Sequence, residues 1–267
     1  MAQRIASTVL RVRLTVLGCS GSVPAAGAVT SGYLIEADGS RIVIELGNGT
    51  LAELQRHCHP FAVSALLLSH LHLDHCGDVS ALTEWWRGHP ARPSDPSRSR
   101  LPLYAPSEAP SRLAAAHAES EAALATADLG DVFDFHQLSA GSFTIGPFQI
   151  TVGVMEHICE AYGFRVTHKG RSLVYTGDTA RCDALLDLTM GADVLLADTA
   201  WVARGSRPDN LHMSGAEGAE LANEAGVSTL LLTHVLPWSD KAAVLNSART
   251  VFGGETQLAR QGASFTI

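Results

Sequence analysis

The sequence has no C-x-x-C pair, no long apolar run and no excess of basic residues. Its five cysteines (Cys19, Cys58, Cys76, Cys159, Cys182) are scattered and odd in number. That argues against a disulfide framework and fits a reducing cytoplasm, the expected location. The longest apolar runs, such as Ala65-Leu66-Leu67-Leu68, have strand length, so no membrane-spanning helix and no membrane partner are expected. The first 18 residues carry Arg4, Arg11 and Arg13 without the apolar stretch of a signal peptide and read as a leader into a strand. With 27 acidic and 19 basic residues the formal net charge is −8, which gives no general attraction to nucleic acid or anionic lipid. No linker divides the chain, so one domain over residues 1–267 is expected.

What is present is a succession of short strand-like runs. Leu10–Leu17, Gly32–Glu36 and Arg41–Leu46 are separated by Gly and Ser and predict an antiparallel meander. Val63–Leu68 predicts a further strand, Gly77–Arg87 a helix, Pro90–Pro106 mostly loop and Ser111–Asp128 a helix. A second meander follows at Phe143–Ile145, Phe148–Met155, Gly163–Thr167 and Ser172–Thr176. Helices over Arg181–Met190, from Ser214 to Gly226 and over Asp240–Phe252 then alternate with strands Val194–Ala197 and Thr229–Leu232, and a last short strand closes the chain. Ser214 with Glu217 has the capping-box pattern. Two halves of this kind predict an α/β sandwich: two mixed sheets face to face, with helices on both outer sides.

The densest chemical signal is His70-Leu71-His72-Leu73-Asp74-His75, directly after a strand. Imidazole and carboxylate are ligands for Zn²⁺ or a similar ion. A histidine-rich surface loop is the bland alternative, but it does not call for the embedded Asp. Six residues cannot close two coordination spheres. His157, Asp178 and His234 each stand alone just past an apolar strand, at the edge where ligand sites of layered folds gather. Singly each could be structural; together they repeat one placement.

This set resembles the metallo-β-lactamase superfamily: H-x-H-x-D-H, then a His, an Asp and a His, over nearly the whole chain. The resemblance implies an αββα sandwich with two divalent metal ions. One would be held by His70, His72 and His157, the other by Asp74, His75 and His234, with Asp178 between them. A hydroxide shared by the two ions would be the nucleophile. Zn²⁺ is the default, and the same donors accept Mn²⁺ or Fe²⁺. The family usually has an Asp after an early strand, where this chain has Glu45, a difference that bears on support of the ligands.

Leu211-His212-Met213-Ser214-Gly215 and Leu196-Ala197-Asp198-Thr199 narrow the resemblance to the tRNase Z-like phosphodiesterase branch. There the extra His protonates the leaving oxygen and an acid orients it, which assigns catalytic roles to His212 and Asp198 beside Asp74. The alternative for His212 is a helix-flanking residue with no chemical role. The long arm that clasps tRNA is absent, because Gly163-Phe164-Arg165-Val166 runs straight through Lys169-Gly170 into Ser172-Leu173. Together with Gly18-Cys19-Ser20-Gly21-Ser22 and His234-Val235-Leu236-Pro237-Trp238, this is similar to actinobacterial atypical cyclic-nucleotide phosphodiesterases. The resemblance implies a small phosphodiester, 3′,5′-cyclic AMP first, as substrate. A tRNA 3′-processing endonuclease, disfavoured by the missing arm, and a thioester or lactone hydrolase, disfavoured by His212 and Asp198, are the alternatives. A degenerate scaffold conflicts with the full ligand set. Related enzymes are often dimers, which makes a homodimer a further expectation by analogy.

Trp85, Trp86, Arg87 and His89 could bring an aromatic plane and a guanidinium to the site, or pack into the core, the plainer reading. Arg92, Arg98 and Arg100 are expected on a solvated loop.

Overall fold

The computed structural model describes residues 12–93, 95, 99–202 and 210–267. The strands are β1 (Arg13–Gly18), β2 (Gly32–Ala37), β3 (Ser40–Ile44), β4 (Ala65–Leu67), β5 (Leu101–Ala105), β6 (Phe133–Gln137), β7 (Gly141–Ile145), β8 (Phe148–Val154), β9 (Tyr162–His168), β10 (Arg171–Tyr175), β11 (Val194–Asp198), β12 (Thr229–Thr233), β13 (Glu255–Leu258) and β14 (Ser264–Thr266). They form two seven-stranded sheets, ordered β14-β1-β2-β3-β4-β5-β6 and β13-β12-β11-β10-β9-β8-β7. Each sheet joins an antiparallel meander to a run of parallel strands.

The central strands read as unbroken apolar runs because both of their faces are covered. Leu67, Leu173, Tyr175, Leu196 and Leu231 point into the core between the sheets. Their alternates turn outward. Leu66 and Leu68 pack under α1 (Thr50–His57), α3 (Val79–Gly88) and α4 (Ala109–His117). Val174, Leu195, Leu230 and Leu232 pack under α6 (Asp183–Thr189), α7 (Gly215–Ala225) and α8 (Lys241–Arg249). The expected sandwich with helices on both outer sides is therefore the architecture found. Two short helices, α2 (Leu73–Cys76) and α5 (Glu121–Leu124), and a 3₁₀ turn (Pro60–Ala62) complete the described elements.

Several boundaries differ from expectation. The Pro-rich stretch contains β5, which pairs in parallel with both β4 and β6. Pro102 faces the less buried side of that strand, with Leu101 and Leu103 turned inward. Strand β6 and helix α1 were not expected. The helix expected over Gly77–Arg87 is α3, the short α2 precedes it, and two short strands rather than one follow α8. Arg98 and the segment before Val12 lie outside the described residues.

The expected tight connection without an arm is a two-residue hairpin. His168 pairs with Arg171, and Lys169 and Gly170 both have positive φ (47° and 77°), the geometry of a primed turn. No helix among the described residues is long and apolar enough to cross a membrane.

Candidate metal centre

The cluster forms where strands of both sheets end at one edge. Leu67 closes β4 and His70 follows three residues later; His157 follows β8; Asp178 follows β10; Asp198 ends β11; His234 follows β12. The two sheets meet at this edge, where Tyr162 N donates to Ser69 O at 3.0 Å. The structure brings together His70, His72, Asp74, His75, His157, Asp178, Asp198, His212 and His234.

Two glycines make the approach possible. A Cβ on Gly47 would stand 2.0 Å from Asp74 O. Gly177 has φ +62°, and a Cβ there would stand 2.6 Å from Tyr162 O. Three other residues at the site hold positive φ without being glycine: Ser22 (62°), Glu45 (61°) and His234 (58°). Each costs about 1–3 kcal/mol that the surrounding packing must offset, and such strain gathers at functional sites.

A first group consists of imidazoles. His70 Nε2 lies 3.0 Å from His72 Nδ1, and His157 Nε2 lies 3.4 Å from the same atom. Asp178 Oδ2 stands 3.6 Å from His70 Nε2. Burial, helped by His75, holds His70 well below its ordinary pKa, and burial lowers His72 and His157. Neutral rings expose lone pairs.

A second group mixes charges. His234 Nε2 lies 3.1 Å and His75 Nε2 3.4 Å from Asp74 Oδ2. Asp178 Oδ1 lies 3.2 Å from His75 Nε2 and 2.8 Å from His234 Nδ1. Burial alone would raise the Asp178 carboxyl, but His234, His75 and His70 outweigh it and hold it well below the carboxylate range.

These atoms fit metal ions rather than one another. Both ring nitrogens of His75, Nδ1 of His234 and Oδ1 of Asp178 are buried and make no hydrogen bond, although oppositely charged atoms lie within 3.5 Å. Groups that close without a bonding angle are aimed at a common point. Tetrahedral ligation at about 2.0–2.1 Å spaces neighbouring donors by about 3.3 Å, the spacing of both groups. The His/Asp cluster is thus suited to holding metal ions.

Behind the second group stands Glu45. Its carboxylate accepts from Ser69 N at 3.2 Å and lies 3.5 Å from His75 Nδ1. The longer Glu side chain reaches the place expected for the supporting carboxylate. Beside it, Ser22 N donates to Asp74 Oδ2 at 2.8 Å, a contact no motif announces because a backbone amide makes it.

His212 and Asp198 form a third feature. With Asp198 a carboxylate, His212 Nδ1 donates to its Oδ2 at 2.8 Å. Burial disfavours the charged ring, but Asp198 outweighs this and raises His212 to about 9. Asp198 Oδ1 also approaches His234 Nδ1 at 3.5 Å. The capping box of α7 anchors the segment: Glu217 N donates to Ser214 Oγ at 3.2 Å and Ser214 N to Glu217 Oε2 at 2.8 Å. Such a cap contributes about 1 kcal/mol and fixes the chain two residues beyond His212.

The tryptophan pair stays outside. Trp86 is buried under the first sheet and donates to Ser99 O at 2.9 Å, and Arg87 pairs with Asp131 at 2.7 Å. The core reading of this helix end is the one found. Arg92 donates to Asp131 O at 2.7 Å and Arg100 pairs with Asp134 at 3.2 Å, so neither reaches the cluster.

A family model, Beta-lactamase superfamily domain, matches residues 40–235. An uncharacterized Mycobacterium leprae protein is 41% identical over 97% of this chain and 90% of its own length. "Probable metallo-hydrolase YhfI" of Bacillus subtilis is 28% identical over 94% of this chain and 98% of its own. The crystal structure of YhfI, a metallo-β-lactamase fold protein, superposes with TM-score 0.83 over 97% of this chain and 100% of that one. A ribonuclease Z of Haloarcula marismortui is 27% identical over 95% of this chain and 96% of its own.

Proposed function

The chain belongs to the β-lactamase superfamily, and we propose that it is a phosphodiesterase with two metal ions, probing a small substrate such as a 3′,5′-cyclic nucleotide. The observation that carries this reading is the His212–Asp198 pair beside the ligand cluster. His70, His72 and His157 would hold one ion, Asp74, His75 and His234 the other, with Asp178 shared. Zn²⁺ suits this donor set, as do Mn²⁺ and Fe²⁺. When bound, such a pair supplies a water of lowered pKa and neutralises charge developing on the phosphoryl oxygens.

The chain's own residues supply the rest. Cleaving a phosphodiester releases an alkoxide, a poor leaving group without a proton. Asp198 engages Nδ1 of His212, so the imidazolium carries its transferable proton on Nε2. The same carboxylate stabilises the charged ring before transfer, and Asp198 in turn is positioned by Thr179 N at 3.3 Å. Thioester hydrolysis has no comparable need for a proton donor, because the leaving thiolate departs more readily.

Two observations favour a small substrate. The β9–β10 hairpin leaves no arm to clasp a large one. Near the cluster in sequence stand exposed apolar side chains: Leu73, Ile158 and Trp238, each within four residues of a cluster histidine, are 66%, 67% and 70% exposed. An exposed indole offers a stacking face to a nucleobase. The full-length similarity to a ribonuclease Z supports tRNA as the second reading.

Parallel turnover measurements on cyclic AMP, a precursor tRNA and a thioester test the proposal. Cyclic AMP hydrolysis well above the other two is the expected result. Efficient precursor-tRNA cleavage without cyclic-nucleotide turnover would reverse the order, and thioester hydrolysis alone would remove the role given to His212.

A further inference from the structure

A second concavity lies behind the metal cluster. The loop after β1, the ends of β12 and β13 and the first turns of α8 enclose a cavity of about 500 Å³. That volume falls within the range of small-molecule sites. Its walls are mostly apolar, with Cys19, Leu232, Val235 and Leu245 among them, and no acidic side chain lines it. It is separate from the cluster: Val235 lines the cavity, while its neighbour His234 joins the ligands.

The two cations on its wall are Lys241 and Arg260. Many other basic side chains are engaged, as in Arg41–Glu36, Arg87–Asp131, Lys169–Asp38 and Arg171–Asp193. Neither Lys241 nor Arg260 has a side-chain hydrogen bond or ion pair among the described residues. Lys241 also occupies the first position of α8, where a positive charge opposes the helix dipole. Its placement therefore does not serve helix stability. The nearest carboxylate in sequence, Asp240, is spent on capping, with Oδ1 accepting from Ala242 N at 2.9 Å and Ala243 N at 3.1 Å. Gln261, the other long polar side chain of the wall, is committed to Val29 N and Glu53.

An apolar hole of ligand size, bounded by two uncompensated cations and no anion, is complementary to one kind of molecule. We propose that this cavity is a binding site for an organic anion with an apolar body, its carboxylate or phosphate head held by Lys241 and Arg260. The apolar walls take the body out of water, and the two cations select the charge.

Calorimetric titration of the metal-loaded protein with decanoate tests this, with decanol, acetate and inorganic phosphate as comparison ligands. Decanoate should bind at least tenfold more tightly than decanol, acetate or phosphate. The double variant K241E/R260E should weaken decanoate binding tenfold or more while keeping metal content and thermal midpoint. Ala242→Trp, which fills the cavity from an exposed position on α8, should weaken it as well. Undiminished binding in both variants would put the carboxylate on the metals and overturn the proposal. Equal binding of decanol, or of phosphate alone, would overturn the amphiphilic selectivity, and so would absence of decanoate binding. Capture of the protein only by anionic phospholipid vesicles would assign the cations to a membrane surface instead.

Discussion

The two halves of the metal cluster are built on different principles. His70, His72 and His157 are imidazoles alone, kept neutral by burial, and His72 and His157 remain half-buried at the mouth. Asp74, His75 and His234 combine carboxylate with imidazole, are buried, and are backed by Glu45 and the Ser22 amide. The contrast assigns them separate tasks. The first half reaches solvent through His72 and His157; the second is a buried, charged floor contacted from behind by Glu45 and the Ser22 amide. Asp178 alone belongs to both, with one carboxylate oxygen toward each.

The largest effect should follow from removing that shared residue. Asp178→Ala is expected to lose both ions and all measurable turnover, read by elemental analysis of the purified variant alongside activity. Retention of one ion would show the halves to be independent. His212→Ala should come next, lowering phosphodiester turnover by about 10²–10⁴-fold with metal content unchanged. Metal loss in that variant would move His212 from proton donor to ligand. The pH profile offers a second check. Asp198 raises His212, so its acid form is populated at neutral pH and is lost as pH rises through the raised value. The wild type should therefore lose activity on the alkaline side, and His212→Ala should lose that limb.

A smaller change separates the halves themselves. Glu45→Gln keeps the length of the side chain but weakens the acceptor facing His75 Nδ1. Losing a supporting carboxylate typically costs 10–100-fold in metal affinity. The loss should fall on the ion at Asp74, His75 and His234, with the other ion's affinity preserved. Equal weakening of both would mean that Glu45 acts through Ser69, whose Oγ lies 2.9 Å from His70 Nδ1, rather than through His75.

Much of this site was legible in the sequence because metal ligands must be particular residue types placed after apolar strands. His157, Asp178 and His234 stood out by that placement. The capping box after His212 was legible for the same reason, since its hydrogen bonds are local. What could not be read depends on backbone. The Ser22 amide contact to Asp74 spans 52 positions and leaves no trace in residue type. Strand β5 was hidden by prolines that a parallel strand tolerates where Pro102 turns to its more exposed face. Strand β6 is polar on alternate positions and half-buried, so its run Phe133-Asp134-Phe135-His136-Gln137 lacked the apolar density of its neighbours. Trp85 and Trp86 showed the reverse problem. An aromatic pair beside an arginine suits a ligand and a core equally, and only the packing of α3 against the first sheet decides.

The smallest expected effect tests which half of the mouth receives the substrate's apolar part. Ile158 adjoins His157 of the first group in sequence, and Trp238 follows His234 of the second by four residues; both are exposed. Base–aromatic stacking contributes about 1–3 kcal/mol per base, so Trp238→Ala should raise KM for a cyclic nucleotide by about tenfold with kcat nearly constant. Ile158→Ala removes less contact area and no stacking face, and should change KM by no more than about threefold on the same scale. Ethylene phosphate, a strained cyclic phosphodiester with no aromatic ring, is the control that isolates the base. If Trp238→Ala raises KM for that control as much as for the nucleotide, the indole serves the shape of the mouth rather than a base. If Ile158→Ala has the larger effect, the substrate's apolar part rests on the imidazole half, and the two halves exchange their assigned positions relative to the substrate.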